Sequence, residues 1–205
     1  MVALMPGQID LLRHGEPSGG KRYRGDRVND PLSELGWKQM RDRVAALEAA
    51  GKANWTQIVS SPLIRCQAFA EALAGERGLS LQIDANLRER GFGCWEGLSH
   101  WEVKERFAAD YRAYKADPDR GMPTGGEAMD DFFSRVTGSL ARHAKAQPSD
   151  GKTLIVAHAV VIRAAAVWAL NAPPVATHFV DTEYACLLRL QWRGEQPTLL
   201  ELLND

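Results

Sequence analysis

Short apolar runs alternate along this chain with longer segments whose apolar residues recur every three or four positions. The first run, Ile9-Asp10-Leu11-Leu12, reads as an extended strand and ends in Arg13-His14. A loop rich in Gly and Arg follows over 17–31. Ser33 then reads as the cap of a helix with Trp37, Met40, Val44 and Leu47 on one face, ending at Gly51. Gln57-Ile58-Val59-Ser60 predicts a second strand. Ser61-Pro62 offers an N-cap followed by proline at the first helical position, for a helix carrying Leu63, Ala70 and Leu73 that stops near Gly78. Leu81-Gln82-Ile83 is a short strand. Further on, the spacing predicts a helix over 127–146 with Phe133, Val136 and Leu140 facing inward, a buried strand over 153–157 and an apolar helix over 160–170. Two closing strands, 185–192 and 197–203, are joined by a turn through Gly194.

Strands alternating with amphipathic helices predict an α/β sandwich. The stretch 88–126 breaks the rhythm. It holds a capping-box pattern, Ser99-x-x-Glu102, opening a helix of mixed polarity, and then a loop rich in Asp, Pro and Gly. It reads as an insert folded over one end of the sheet, within one domain spanning 1–205.

Composition narrows the function classes. A chain of 205 residues with a net charge of −1 and no long basic or acidic block recommends neither nucleic acid nor a membrane surface as partner. Any positive potential must be local, in a pocket. Three widely spaced cysteines, Cys66, Cys94 and Cys186, make no disulfide framework and no C-x-x-C pair. The start of the chain, 1–7, lacks the charged opening of a signal peptide, so a cytoplasmic setting is expected. Exposed apolar residues of the final strands are candidates for a homodimer edge.

The chemistry concentrates where strands end. Leu11-Leu12-Arg13-His14 and Leu154-Ile155-Val156-Ala157-His158 both finish in histidine, and parallel strands deliver their carboxyl ends to one edge, where ligands bind. A third junction, Ser60-Ser61-Pro62, delivers Arg65 in the first turn of its helix. Imidazole is largely neutral near pH 7 and nucleophilic, while arginine stays charged and grips phosphate oxygens in pairs. A strand-end histidine in a turn opened by Gly15, a helix-capping His158 and a solvated Arg65 would each look the same singly. Together they point to phosphate chemistry.

These motifs resemble the histidine phosphatase superfamily, the phosphoglycerate mutase-like family, in its branch of small bacterial phosphatases. Arg13-His14-Gly15-Glu16 is similar to the signature holding the phosphorylated histidine. Gly25, Asp30-Pro31-Leu32-Ser33, Gly36 and Gln39 are similar to the loop entering the first helix, and Ser60-Ser61-Pro62-Leu63-x-Arg65 to the segment with the second phosphate-gripping arginine. The run from Leu87-Arg88-Glu89 to Trp95-Glu96-Gly97 resembles the stretch carrying the proton-donating glutamate, and Gly125-Gly126-Glu127 and the strand before His158 complete the series in family order. The resemblance implies a three-layer α/β sandwich with a mostly parallel central sheet flanked by helices and the short insert over the site.

It also implies roles. His14 would attack phosphorus, Arg13, Arg65 and His158 would surround the phosphoryl oxygens, and Glu89 would protonate the leaving alcohol, with Glu127 the second choice among Glu16, Glu89, Glu96 and Glu127. Gly25, Arg24, Ala159 and, less directly, Arg22 would line the substrate. No metal and no cofactor are implied, and the histidines His100, His143 and His178 fall at no metal-ligand spacing relative to His14 and His158. The partner would be a small phosphorylated metabolite. Three positions depart from the family pattern: Ala159 stands where glycine is usual, Gly19-Gly20 where many relatives place asparagine, and Ala68-Phe69 where Gln-Thr is usual. Phe92-Gly93-x-Trp95-Glu96-Gly97 and the short insert are closer to the phosphatase arm than to the mutase arm, since Lys104, Arg106, Arg112, Lys115 and Arg120 are scattered. Glu16-Pro17 and Tyr23-x-Gly25 resemble the α-ribazole phosphatases of cobalamin assembly. A mutase-type phosphoryl transferase and a degenerate non-catalytic phospho-ligand binder are the alternatives.

Overall fold

Strand β1 (Gln8–Arg13) lies at the heart of a six-stranded sheet because four consecutive residues, Ile9 to Leu12, are buried on both of its faces. The computed structural model of the protein describes residues 7–118, 121–148, 150–193 and 196–204. The other strands are β2 (Gln57–Ser60), β3 (Ser80–Ile83), β4 (Lys152–Ala157), β5 (Leu187–Arg193) and β6 (Gln196–Leu203). The order is β3-β2-β4-β1-β5-β6, with the first four strands parallel and β5 and β6 antiparallel. The expected mostly parallel sheet is present. The start of the chain before Gly7, the turn through Gly194 and Arg120 lie outside the described residues.

Helices α1 (Glu34–Ala49) and α2 (Ile64–Arg77) cover one face, and α5 (Met129–Ala146) and α6 (Ala159–Ala169) the other. The period-two alternation of the strands divides their side chains between the layers. Ile9, Leu11, Ile155 and Ala157 pack toward α5 and α6, while Leu12, Leu154 and Val156 pack toward α1 and α2. Ser33 caps α1 through its hydroxyl, which accepts from the Gly36 N–H, and Met40, Val44 and Leu47 are buried. Phe69 fills the α2 side of that core against Trp37, so the Ala68-Phe69 departure is a packing change.

Two details differ from the sequence reading. Helix α2 begins at Ile64 behind Leu63, not at Pro62; the Ser61 hydroxyl meets the buried His158 imidazole and also accepts from the Leu63 N–H at 3.3 Å. On α5 the inward face is Phe132, Val136 and Leu140, with Phe133 beside it; i, i+4, i+8 spacing outranks i, i+3, i+7 here. The insert contains α3 (His100–Arg106), opened by the expected capping box, and α4 (Ala108–Ala116). A 3₁₀ segment, Pro174–Phe179, had no sequence prediction. Leu200 on the edge strand β6 is exposed, and among the described residues no helix is long and apolar enough to cross a membrane.

Candidate active site

β1 and β4 are parallel neighbours in register, Arg13 opposite Ala157, so the next residues of each strand, His14 and His158, leave the sheet side by side. Their rings stand edge to face with centroids 5.2 Å apart. A cavity of about 990 Å³ opens at this sheet edge, lined by Arg13, His14, Arg24, Gly25, Arg65, Glu89 and Ala159 among others.

The His14 Nδ1 lies 2.7 Å from the carbonyl oxygen of Gly15. A carbonyl only accepts, so Nδ1 carries the proton and the Nε2 lone pair is left for chemistry. Burial, and then the charges of Arg65 and Arg13, push the His14 pKa well below its ordinary 6.5. The ring is therefore neutral at neutral pH, with Nε2 unprotonated.

The two guanidinium groups are built in from opposite sides. Arg65 donates to the carbonyls of Val28 at 2.8 Å and Gly25 at 3.0 Å; Arg13 donates to Thr182 O at 2.7 Å and stacks on the Tyr184 ring. Burial lowers the pKa of both. Neither forms an ion pair with a carboxylate among the described residues, and the Nε of each is buried with no hydrogen-bond partner. Two guanidinium groups lining one cavity with no carboxylate partner suit an anion there.

Gly25 serves Arg65. Its φ of 56° is left-handed, and a Cβ there would lie 2.2 Å from Glu96 Oε1. Glu96 itself is a loop clamp, accepting from the Phe92 and Arg27 N–H groups. Arg24 lines the cavity but is tied down, donating to Asp30 at 2.9 Å and to the carbonyls of Ser18 and Gly20 at 2.7 Å; it holds the loop as well as facing the site. Arg22 also lines the cavity and donates to Gly19 O.

Glu89 stands at the amino end of α6. Its Oε2 accepts from Val160 N at 3.4 Å and its Oε1 from Arg90 N at 3.0 Å. Glu127 does not compete for this place. Arg135 grips its carboxylate at 2.6 and 2.8 Å, and Glu127 is absent from the cavity lining. The same Arg135 donates to the carbonyls of Asn86, Arg88 and Glu89, fixing the segment that presents Glu89.

His158 is placed differently from the expectation. It touches His14 but is fully buried and does not line the cavity, its Nε2 lying 2.7 Å from the Ser61 hydroxyl. Burial, and then the charge of Arg65, push its pKa well below 6.5, so it packs against His14 as a neutral ring.

A family model, the histidine phosphatase superfamily (branch 1), matches residues 9–205. The chain belongs to that superfamily. A bifunctional protein of Mycobacterium tuberculosis is 33% identical over 203 residues, 98% of this chain but 54% of that protein; this histidine phosphatase chain thus spans about half the length of the first curated relatives it matches. The glucosyl-3-phosphoglycerate phosphatase of the same organism is 33% identical over 175 residues, 81% of this chain and 76% of the relative. Among solved structures, the α-ribazole phosphatase of Shigella flexneri superposes with a TM-score of 0.83 at 26% identity, covering 97% of this chain and 96% of that one.

The sequence reading missed several lining residues of this histidine phosphatase site. Arg163 sits one helical turn beyond Ala159 on the same face of α6, a spacing that extends from His158. Tyr184 precedes β5, and only the pairing of Leu187 with Leu12 brings it to this edge. Lys115, read as part of a solvated face, and His100, His178 and Phe179 line the outer cavity. Phe92, Trp95, His100 and Tyr114 of the insert pack with Tyr23 into an aromatic wall.

Proposed function

We propose that this chain is a phosphomonoesterase working through a phosphohistidine intermediate on a small phosphorylated metabolite. The observation that carries the reading is a neutral, tautomer-fixed His14 in one cavity with the guanidinium groups of Arg13 and Arg65, neither of which pairs with a carboxylate among the described residues. His14 Nε2 attacks phosphorus and the bond to the alcohol oxygen breaks, with Glu89 giving that oxygen a proton. Arg13 and Arg65 stabilise the charge on the transferring group, where losing one donor costs roughly 100- to 1,000-fold in rate. The carbonyl of Gly15 steadies the cation that forms on the phosphorylated ring. Water then attacks, Glu89 takes its proton, the N–P bond breaks and phosphate leaves.

Chemistry of this kind asks for no metal. The cavity greatly exceeds a phosphoryl group and leaves room for a sizeable alcohol part. The aromatic wall suits the ring-bearing alcohol of α-ribazole 5'-phosphate, and the basic residues Lys21, Arg22, Lys115 and Arg163 suit an acidic one such as glucosyl-3-phosphoglycerate. Both classes belong in a metabolite-phosphate panel. The decisive measurement is release of phosphate from p-nitrophenyl phosphate with and without EDTA. Turnover is expected in both conditions and is expected to vanish in His14→Ala; normal rates in that variant would sink the nucleophile assignment.

A further inference from the structure

The turn leading into β5 carries a strained corner. It spans 183–186 and is closed by the Cys186 N–H donating to Glu183 O at 3.2 Å. Its third residue, Ala185, has a φ of 56°, the left-handed region that such a turn normally reserves for glycine. Surrounding bonds hold it there. The Ala185 N–H donates to His14 O at 3.4 Å, its carbonyl accepts from Arg43 Nε at 3.0 Å, and the neighbouring Cys186 carbonyl accepts from the Arg13 N–H at 3.0 Å. The corner is thus bolted to the backbone of the two residues that open the active site, the kind of place where strain is retained for geometry.

What the corner presents is Tyr184. The Arg13 guanidinium carbon lies 4.2 Å from the centre of its ring, and the His14 ring lies 6.0 Å from it. The carbonyl of Thr182, two residues earlier, accepts from Arg13 Nη1 at 2.7 Å. One short segment therefore fixes Arg13 by its face and by one nitrogen. A guanidinium grips two phosphate oxygens only when its plane contains them.

We propose that Tyr184 is a positioning residue for phosphoryl transfer, its ring holding the plane of Arg13 toward the phosphoryl oxygens. This rests on the phosphomonoesterase reading. The contact is made by the ring face, so phenylalanine supplies it and an aliphatic side chain does not.

The test compares Tyr184→Phe and Tyr184→Leu by p-nitrophenyl phosphate kinetics and by calorimetric titration with orthovanadate. The Phe variant is expected within about twofold of wild type, and Leu to lose about tenfold in kcat with little change in KM, the scale of a partly desolvated cation–π contact. Orthovanadate is expected to bind more weakly to Leu than to Phe, with unchanged unfolding midpoints. Wild-type kcat in Leu, or a loss in Phe as large as in Leu, would overturn the assignment. If wild-type protein turned over no p-nitrophenyl phosphate, the esterase reading would fall and the titration would decide this one: weaker binding by Leu than by Phe supports it, and equal binding overturns it.

Discussion

At the scale of single residues, the site works by withholding partners. His14 and His158 are buried beside positive charge and stay neutral where an unfolded chain would begin to take up protons. Both pKa values are depressed in the folded state, so the unfolded state binds more protons as pH falls below 6.5, and stability drops from there downward. Each histidine contributes a slope of up to about 1.4 kcal/mol per pH unit in that window. Urea unfolding at pH 7.5 and 5.5 is expected to show the loss, and His158→Asn to reduce the slope; an identical slope in that variant would contradict the burial argument. Glu89 is tested by leaving group. Glu89→Gln should slow an alkyl phosphate more than p-nitrophenyl phosphate, whose leaving group needs little protonation, and equal slowing would count against an acid role.

At the scale of elements, the segment that presents Glu89 is a 3₁₀ turn, Ala85–Leu87, and the residues after it, tied to α5 chiefly by Arg135. Arg135 donates five hydrogen bonds, two to Glu127 and three to the carbonyls of Asn86, Arg88 and Glu89. Arg135→Met leaves the Glu127 carboxylate and three carbonyls without these donors. The expected result is a loss of about 2–4 kcal/mol in urea unfolding. A fall in kcat should accompany it, since Glu89 is no longer aimed at the end of α6. Unchanged stability and kcat would remove Arg135 from this role. After Glu89, the family resemblance leaves Glu127 as the second choice of acid. Its true partner, eight residues on along the chain, is visible only once α5 is folded against 86–89.

At the scale of the whole molecule, the sheet is joined across its parallel and antiparallel parts by a buried polar knot. Asp10 of β1 is fully buried and accepts from Arg189 of β5 at 2.8 and 2.7 Å and from Trp55 Nε1 at 2.8 Å. Such a pair contributes little net stability against an apolar replacement, but breaking it strands a charge. Arg189→Met alone is expected to cost about 3–5 kcal/mol, read by chemical denaturation. The double variant Asp10→Leu with Arg189→Met should recover part of it. No recovery would show that the knot is more than a matched pair.

Much of this protein is legible in one dimension. Periodicity of two and of 3.6 depends only on neighbours along the chain, so the strands, the helices and the three strand-to-helix junctions bearing Arg13-His14, Arg65 and His158 can be read directly. Boundaries and roles that depend on distant groups cannot. The contact of Ser61 with His158 joins residues far apart along the chain, and Tyr184 reaches the site only because β5 runs antiparallel beside β1. Strand order and register exist only after the layers pack, and they decide which of many charged side chains share one cavity.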